Sequence, residues 1–256
     1  MQCIYRLTLI AVLLGLAACR SEAGPTPAIE GMFDVGGFKL YLRCLDQRAV
    51  KSPAPLVILE HGIGERATSE MWREVQNQVA EFAPVCRFDR AGVGNSERPP
   101  TANRGGGDLV REERALLAAA GLKPPYLLVG HSFGGFPARL YAGAHPGEVV
   151  GMVLADVAHE DMIGEIPLGP EALDAADIGA AVREAGPLDI PLVVLTRGRD
   201  RSERWEAFQR DLLELSPNSV QRFADSDHQI PVRQPAAVAD AIRLVLDAAE
   251  RGAPLR

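Results

Sequence analysis

Residues 128–135 read Leu128-Val129-Gly130-His131-Ser132-Phe133-Gly134-Gly135. A buried-type apolar run ends in a single hydroxyl set among three glycines. The pattern Gly-x-Ser-x-Gly arises by chance in about one chain in ten of this length, so the pentapeptide alone decides nothing. Its surroundings decide it. Tyr126 to Val129 has the continuous apolar character of a strand covered on both faces, and Phe133 to Ala144 has the composition of a helix. A sharp strand-to-helix turn at Ser132 would hold its hydroxyl out at the carboxyl edge of a sheet.

The alternation extends in both directions. Gly36-Gly37 separates two short runs, Met32 to Val35 and Phe38 to Cys44, as in a hairpin. Leu56 to Leu59, Val85 to Phe88, Val149 to Ala155, Leu192 to Thr196 and Val220 to Ala224 read as further strands. Between and after them, Ser69 to Phe82, Asp108 to Ala120, Arg201 to Leu215 and Ala236 to Ala249 read as helices. Asp108 is expected to N-cap its helix, and Asp200 with Glu203 resembles a capping box. Gly105-Gly106-Gly107 is read as a flexible loop. Strand–helix alternation predicts an α/β fold with an open, mostly parallel sheet and helices on both faces.

The chain has 256 residues, enough for one catalytic domain, with 47% apolar and 24% charged residues. A net charge of −7 without a long basic run argues against a nucleic-acid partner. No Cys/His cluster has metal-ligand spacing and no Gly-rich dinucleotide fingerprint is present, so no cofactor and no metal is expected.

Residues 1–18 have the anatomy of an export signal: Arg6, then the apolar stretch Leu7 to Leu16, too short for a stable transmembrane helix. The stretch ends in Leu16-Ala17-Ala18-Cys19, similar to the cleavage box of bacterial lipoproteins. That resemblance implies a lipidated Cys19, a membrane contact through the lipid anchor, and residues 19–30 as a polar tether. Simple secretion is the alternative. Cys3 then leaves with the signal and Cys19 carries lipid, so Cys44 and Cys86 remain, either paired in an oxidising compartment or as two buried thiols.

Four motifs together resemble the alpha/beta-hydrolase family across residues 31–252. They are His61-Gly62-Ile63-Gly64, the run from Asp89 through Ser96, the elbow around Ser132, and His228-Gln229-Ile230 with the helix that follows. The resemblance implies a serine hydrolase acting on a small-molecule substrate, most readily a carboxylic ester. Ser132 would be the nucleophile, His228 its base, and the backbone N–H groups of Ile63 and Phe133 the oxyanion donors. His61 would fix its loop, Asp89 and Arg90 would brace the neighbouring one, and His159 stands as a pocket residue or a solvated loop side chain. The family's order Ser, acid, His leaves two acids. Asp156 ends the sixth strand at the carboxyl edge, and Asp200 falls one residue early in a Gly-x-x-Asp-like turn; Asp156 is preferred. A Ser-elbow peptidase, lactonase, thioesterase or C–C hydrolase, and a non-catalytic binding module, remain alternatives. The cap, about 157–190, should be small. In the implied fold the second strand runs antiparallel beside the fourth, which brings Cys44 and Cys86 within bridging reach.

Overall fold

The computed structural model describes residues 26–48, 53–66 and 69–255. The export signal, Cys19 and most of the tether lie outside the described residues.

Eight strands form one sheet: β1 (Ile29–Asp34), β2 (Lys39–Leu45), β3 (Leu56–Glu60), β4 (Val85–Phe88), β5 (Tyr126–His131), β6 (Val149–Ala155), β7 (Leu192–Arg197) and β8 (Ser219–Ala224), in the order β1-β2-β4-β3-β5-β6-β7-β8. Among the described residues β2 runs antiparallel to both its neighbours, β1 and β4, and every pairing from β4 to β8 is parallel. Every residue of β3, β4 and β5 is buried, because helices cover both faces. Side chains alternate between two apolar layers. Ile58, Leu128, Met152 and Val194 pack with α2 (Gly106–Ala119), α3 (Gly135–Ala144) and α4 (Ala175–Glu184). Val57, Leu59, Val129 and Val193 pack with α1 (Glu70–Ala80) and α7 (Pro235–Arg251). Two further helices, α5 (Glu203–Asp211) and α6 (Ile230–Arg233), follow β7 and β8. The β2–β4 register sets Cys44 opposite Cys86, and a disulfide joins them.

Three local expectations are corrected. Helix α2 starts at the glycine run rather than after it. Gly105 is its N-cap, and Asp108 sits three residues into the turn, its carboxylate accepting from the Gly105 N–H at 2.9 Å. The run is glycine because α4 packs against it. A Cβ on Gly105 would fall 1.9 Å from Asp177 Oδ2, and that same oxygen accepts the Gly106 N–H at 2.8 Å. At α5 the cap is Ser202, whose hydroxyl accepts from the Trp205 N–H at 3.2 Å; Asp200 lies outside the helix, exposed. His159 is neither solvated nor free. It is buried, stacked on Phe208 at 4.3 Å, and its Nε2 lies 3.0 Å from Asp211 Oδ2, so it anchors the 3-10 turn it caps.

The segment between β6 and β7 consists of two short 3-10 turns, Glu160–Glu165 and Gly169–Glu171, followed by α4.

Candidate active site

Parallel strands deliver their carboxyl ends to one edge. There β5 ends at Ser132, β6 at Asp156, β7 at Arg197, β3 at the His61-Gly62 turn, and the loop after β8 carries His228. Open α/β sheets assemble sites at this edge because the turns there are free of the strand ladders.

Ser132 has a left-handed backbone, φ +54°, which a residue with a Cβ adopts only when the surrounding structure enforces it. The enforcing contact is the approach of the elbow to β3. A Cβ on Gly134 would stand 2.2 Å from the Glu60 carbonyl oxygen, so only glycine lets the chain turn there. Ser132 is half-buried, with its side chain at the rim of the sheet.

His228 is held from three sides. Its Nδ1 lies 2.6 Å from Asp156 Oδ2, so Nδ1–H donates to the carboxylate and Nε2 is left as the basic nitrogen. Its carbonyl accepts from Nε2–H of His131 at 2.8 Å, and the two rings lie 4.7 Å apart. The Trp205 ring meets it edge-on at 6.0 Å. The His228 side chain is 34% exposed whereas Asp156 is wholly buried, so the ring alone faces an incoming molecule. No hydrogen bond joins the Ser132 hydroxyl to the His228 ring among the described residues; such contacts often tighten only when substrate is bound. Asp200 is exposed and makes no bond to His228, so of the two candidate acids the fold brings Asp156 to the histidine.

The loop after β3 is fixed by charges that the linear sequence does not advertise. Arg90 donates to the carbonyls of His61 (2.5 Å) and Gly62 (2.8 Å), and its other N–H groups reach Glu171 at 2.8 and 3.1 Å. Glu171 also accepts the Gly64 N–H at 2.9 Å, and Glu65 accepts that of Gly62 at 2.8 Å. The N–H of Ile63, between them, has no acceptor among the described residues. It remains available to a ligand oxygen. His61 Nδ1–H donates to Gly62 O at 2.7 Å while its Nε2 accepts from the Arg90 backbone at 3.2 Å, which requires a neutral ring. Burial, reinforced by Arg90, lowers its pKa to about 4. Burial pushes the Glu171 carboxyl up, but Arg90 outweighs it and holds the group below its ordinary value. Glu60 and Glu113, buried beside Arg90, are raised by the loss of hydration. Asp89 braces its own loop by accepting the Asn95 N–H at 2.8 Å.

Sequence reasoning missed Trp205, Arg197, Glu65 and Glu171. Glu65 follows the His-Gly turn directly and could have been suspected on position. Glu171 and Trp205 sit in no motif; only the chain's return to the sheet edge brings them in.

The model of the alpha/beta hydrolase fold family matches residues 55–236, which span β3 to the start of α7 and contain every residue of this edge. The chain belongs to the alpha/beta hydrolase fold family. Among curated proteins, this alpha/beta hydrolase is 30% identical over 224 residues to the uncharacterized protein YqjL of Bacillus subtilis (strain 168), covering 78% of this chain and 87% of that one. Among solved structures it is similar to a bacterial membrane phospholipase A described as a virulence factor. The TM-score is 0.66 at 20% identity, covering 87% of this chain and 86% of that one. It is likewise similar to a thermophilic esterase from Thermogutta terrifontis, TM-score 0.66 at 20% identity, covering 87% and 99%. At such identities the structural likeness establishes the shared fold.

Proposed function

We propose that this alpha/beta hydrolase is a serine hydrolase that cleaves carboxylic esters through an acyl-enzyme. The observation that carries the reading is the 2.6 Å contact of His228 with the buried Asp156, on the same sheet edge as a Ser132 held in a left-handed turn. Ser132 Oγ attacks the ester carbonyl as His228 Nε2 takes its proton. Asp156 keeps the ring in the Nδ1–H form and offsets the imidazolium charge. The oxygen that becomes negative is received by the N–H groups of Phe133 and Ile63, each worth about 3 kcal/mol of transition-state stabilisation. Collapse of the tetrahedral species breaks the C–O bond, and the imidazolium gives its proton to the departing alcohol. Water, deprotonated by the same nitrogen, then attacks the acyl-enzyme and frees Ser132.

Ester cleavage is the reading we propose; an esterase and a phospholipase A stand among the structural neighbours, alongside an enol-lactonase, all sharing the fold at 20% identity or less. The test is labelling by a fluorophosphonate probe together with hydrolysis of nitrophenyl esters of graded acyl length. Ser132→Ala is expected to abolish labelling and to lower turnover by at least about 10⁴-fold. Folded wild-type protein that neither labels nor hydrolyses any ester would instead favour a binding module.

We also propose that the enzyme is exported and anchored to a membrane by lipid on Cys19. The Leu-Ala-Ala-Cys box supports this, and the Cys44–Cys86 bridge suits an oxidising compartment. Globomycin, which blocks lipoprotein signal cleavage, should cause the unprocessed chain to accumulate; unchanged processing would refute lipidation.

A further inference from the structure

The Asp156 carboxylate has more partners than an acid needs merely to hold a histidine. Oδ2 faces His228, and Oδ1 faces away from it, towards α5. There Oδ1 accepts the indole Nε1–H of Trp205 at 2.9 Å and the backbone N–H of Arg197 at 3.2 Å. The Arg197 guanidinium lies 4.4 Å above the Trp205 ring, and its Nη1 stands 3.7 Å from Oδ2. Arg197 Nε is buried without a hydrogen-bond partner, so this side chain has no acceptor of its own that would explain its placement at Nε. Asp156 itself sits in a left-handed conformation, φ +50°, immediately after β6.

These contacts have one geometric outcome. A carboxylate on a short side chain can rotate about its last bond and exchange its two oxygens. Anchoring Oδ1 with two N–H donors stops that rotation and leaves Oδ2 as the oxygen that meets the ring. Trp205 can do this because Ser202 caps the first turn of α5 and Arg197 stacks on its indole face, where a guanidinium is attracted to the ring. The cation beside Oδ2 also damps the field that the carboxylate exerts on His228.

We infer that Trp205 and Arg197 are positioning residues for the catalytic acid: the indole N–H locks the Asp156 carboxylate, and the Arg197 guanidinium locks the indole and moderates the acid's charge. The inference rests on the serine-hydrolase reading above. The charged and titratable groups around the His228–Asp156 pair are Arg197 from β7, His131 from β5, and Asp227 beside His228 itself. Of these, Arg197 alone contacts the acid.

Trp205→Phe keeps an aromatic ring and removes the indole N–H donor. It should lower kcat for a nitrophenyl ester about tenfold to a hundredfold, less than the roughly 10⁴-fold loss expected for the acid itself, with KM within about twofold. Arg197→Met removes a positive charge next to the pair, which makes the imidazolium easier to form. The acid limb of the kcat/KM profile should therefore move to higher pH, and Arg197→Lys should restore it. A merely structural role would lower stability without moving that limb. A readout independent of turnover is the low-field proton resonance of His228 Nδ1–H, recorded in a Ser132→Ala background. It should shift or broaden in Trp205→Phe. Folded Trp205→Phe with unchanged kcat and an unchanged resonance would overturn the inference, as would an Arg197→Met profile superimposable on wild type. Should Trp205→Phe not fold, Arg197→Met decides by its resonance and pH limb. A wild-type protein that neither labels with a fluorophosphonate nor hydrolyses any ester would fail the serine-hydrolase reading, while the resonance would still decide the positioning.

Discussion

Asp156 and Asp200 share an unusual backbone, φ +50° and +51°, and stand at the ends of consecutive strands, yet only one of them meets the histidine. The difference lies in what each can bury. Asp156 is wholly shielded from water, which an ionised carboxylate tolerates only with donors on both oxygens; it has His228 on one and Trp205 with the Arg197 backbone on the other. Asp200 points into solvent, where its charge is hydrated and screened. Asp156→Asn should therefore leave the fold in place and lower turnover by about 10⁴-fold, because an amide can no longer fix the Nδ1–H form of the ring. Asp200→Asn should retain most activity. Steady-state kinetics of the two variants checks this, and the opposite ranking would move the acid to Asp200.

At the scale of the element, the strands were legible wherever the sheet is buried on both faces. Leu56 to Leu59, Tyr126 to Val129 and Val149 to Ala155 are unbroken apolar runs because helices cover them twice, and no other local structure asks for that pattern at that length. Helix starts were less legible. Gly105-Gly106-Gly107 looks like a loop because glycine disfavours helix, but the close approach of α4 through Asp177 and of α3 through Leu140 overrides that propensity. The start of α5 misled for a related reason. Asp200 and Ser202 are both good caps, and the choice depends on where the chain leaves β7, which residue spacing does not record. The turn from β5 towards α3 was legible as a sharp turn at Ser132. Gly134 faces the Glu60 carbonyl too closely for any side chain, and that is why the sequence carries glycine where a helix begins. The bracing of the His61 loop was not legible: Arg90 was expected, with Asp89, to brace its own loop, but its guanidinium holds the carbonyls of His61 and Gly62, and its partner Glu171 arrives from 81 residues further on.

At the scale of the whole molecule, the parallel sheet is extended on one side by β2 and β1, which join it through the antiparallel β2–β4 pairing. The hairpin carries buried Leu40, Leu42 and Leu45, and the Cys44–Cys86 bridge ties it covalently to β4. The bridge closes a segment of sequence separation 42 that contains β3, α1 and the His61 loop, so it restrains this side of the candidate site in the unfolded chain as well as the folded one. In the chain-entropy account a loop of this length is worth about 4 kcal/mol. That is a large share of the roughly 5–15 kcal/mol that keeps a domain folded. Removing both thiols by Cys44→Ala with Cys86→Ala should lower the unfolding free energy in urea by about 3–4 kcal/mol, with little change in the slope of the native baseline. Since the bridge lies at the far side of β4 from Ser132, kcat measured well below the transition should stay within about twofold of wild type. The covalent state can be read directly: unreduced mature protein treated with an alkylating agent under denaturing conditions should show neither Cys44 nor Cys86 modified, and both modified after reduction. Alkylation of both without reduction would mean that the two cysteines face each other as thiols, and the loss of stability in the double variant should then shrink to the small cost of trimming two buried sulfurs.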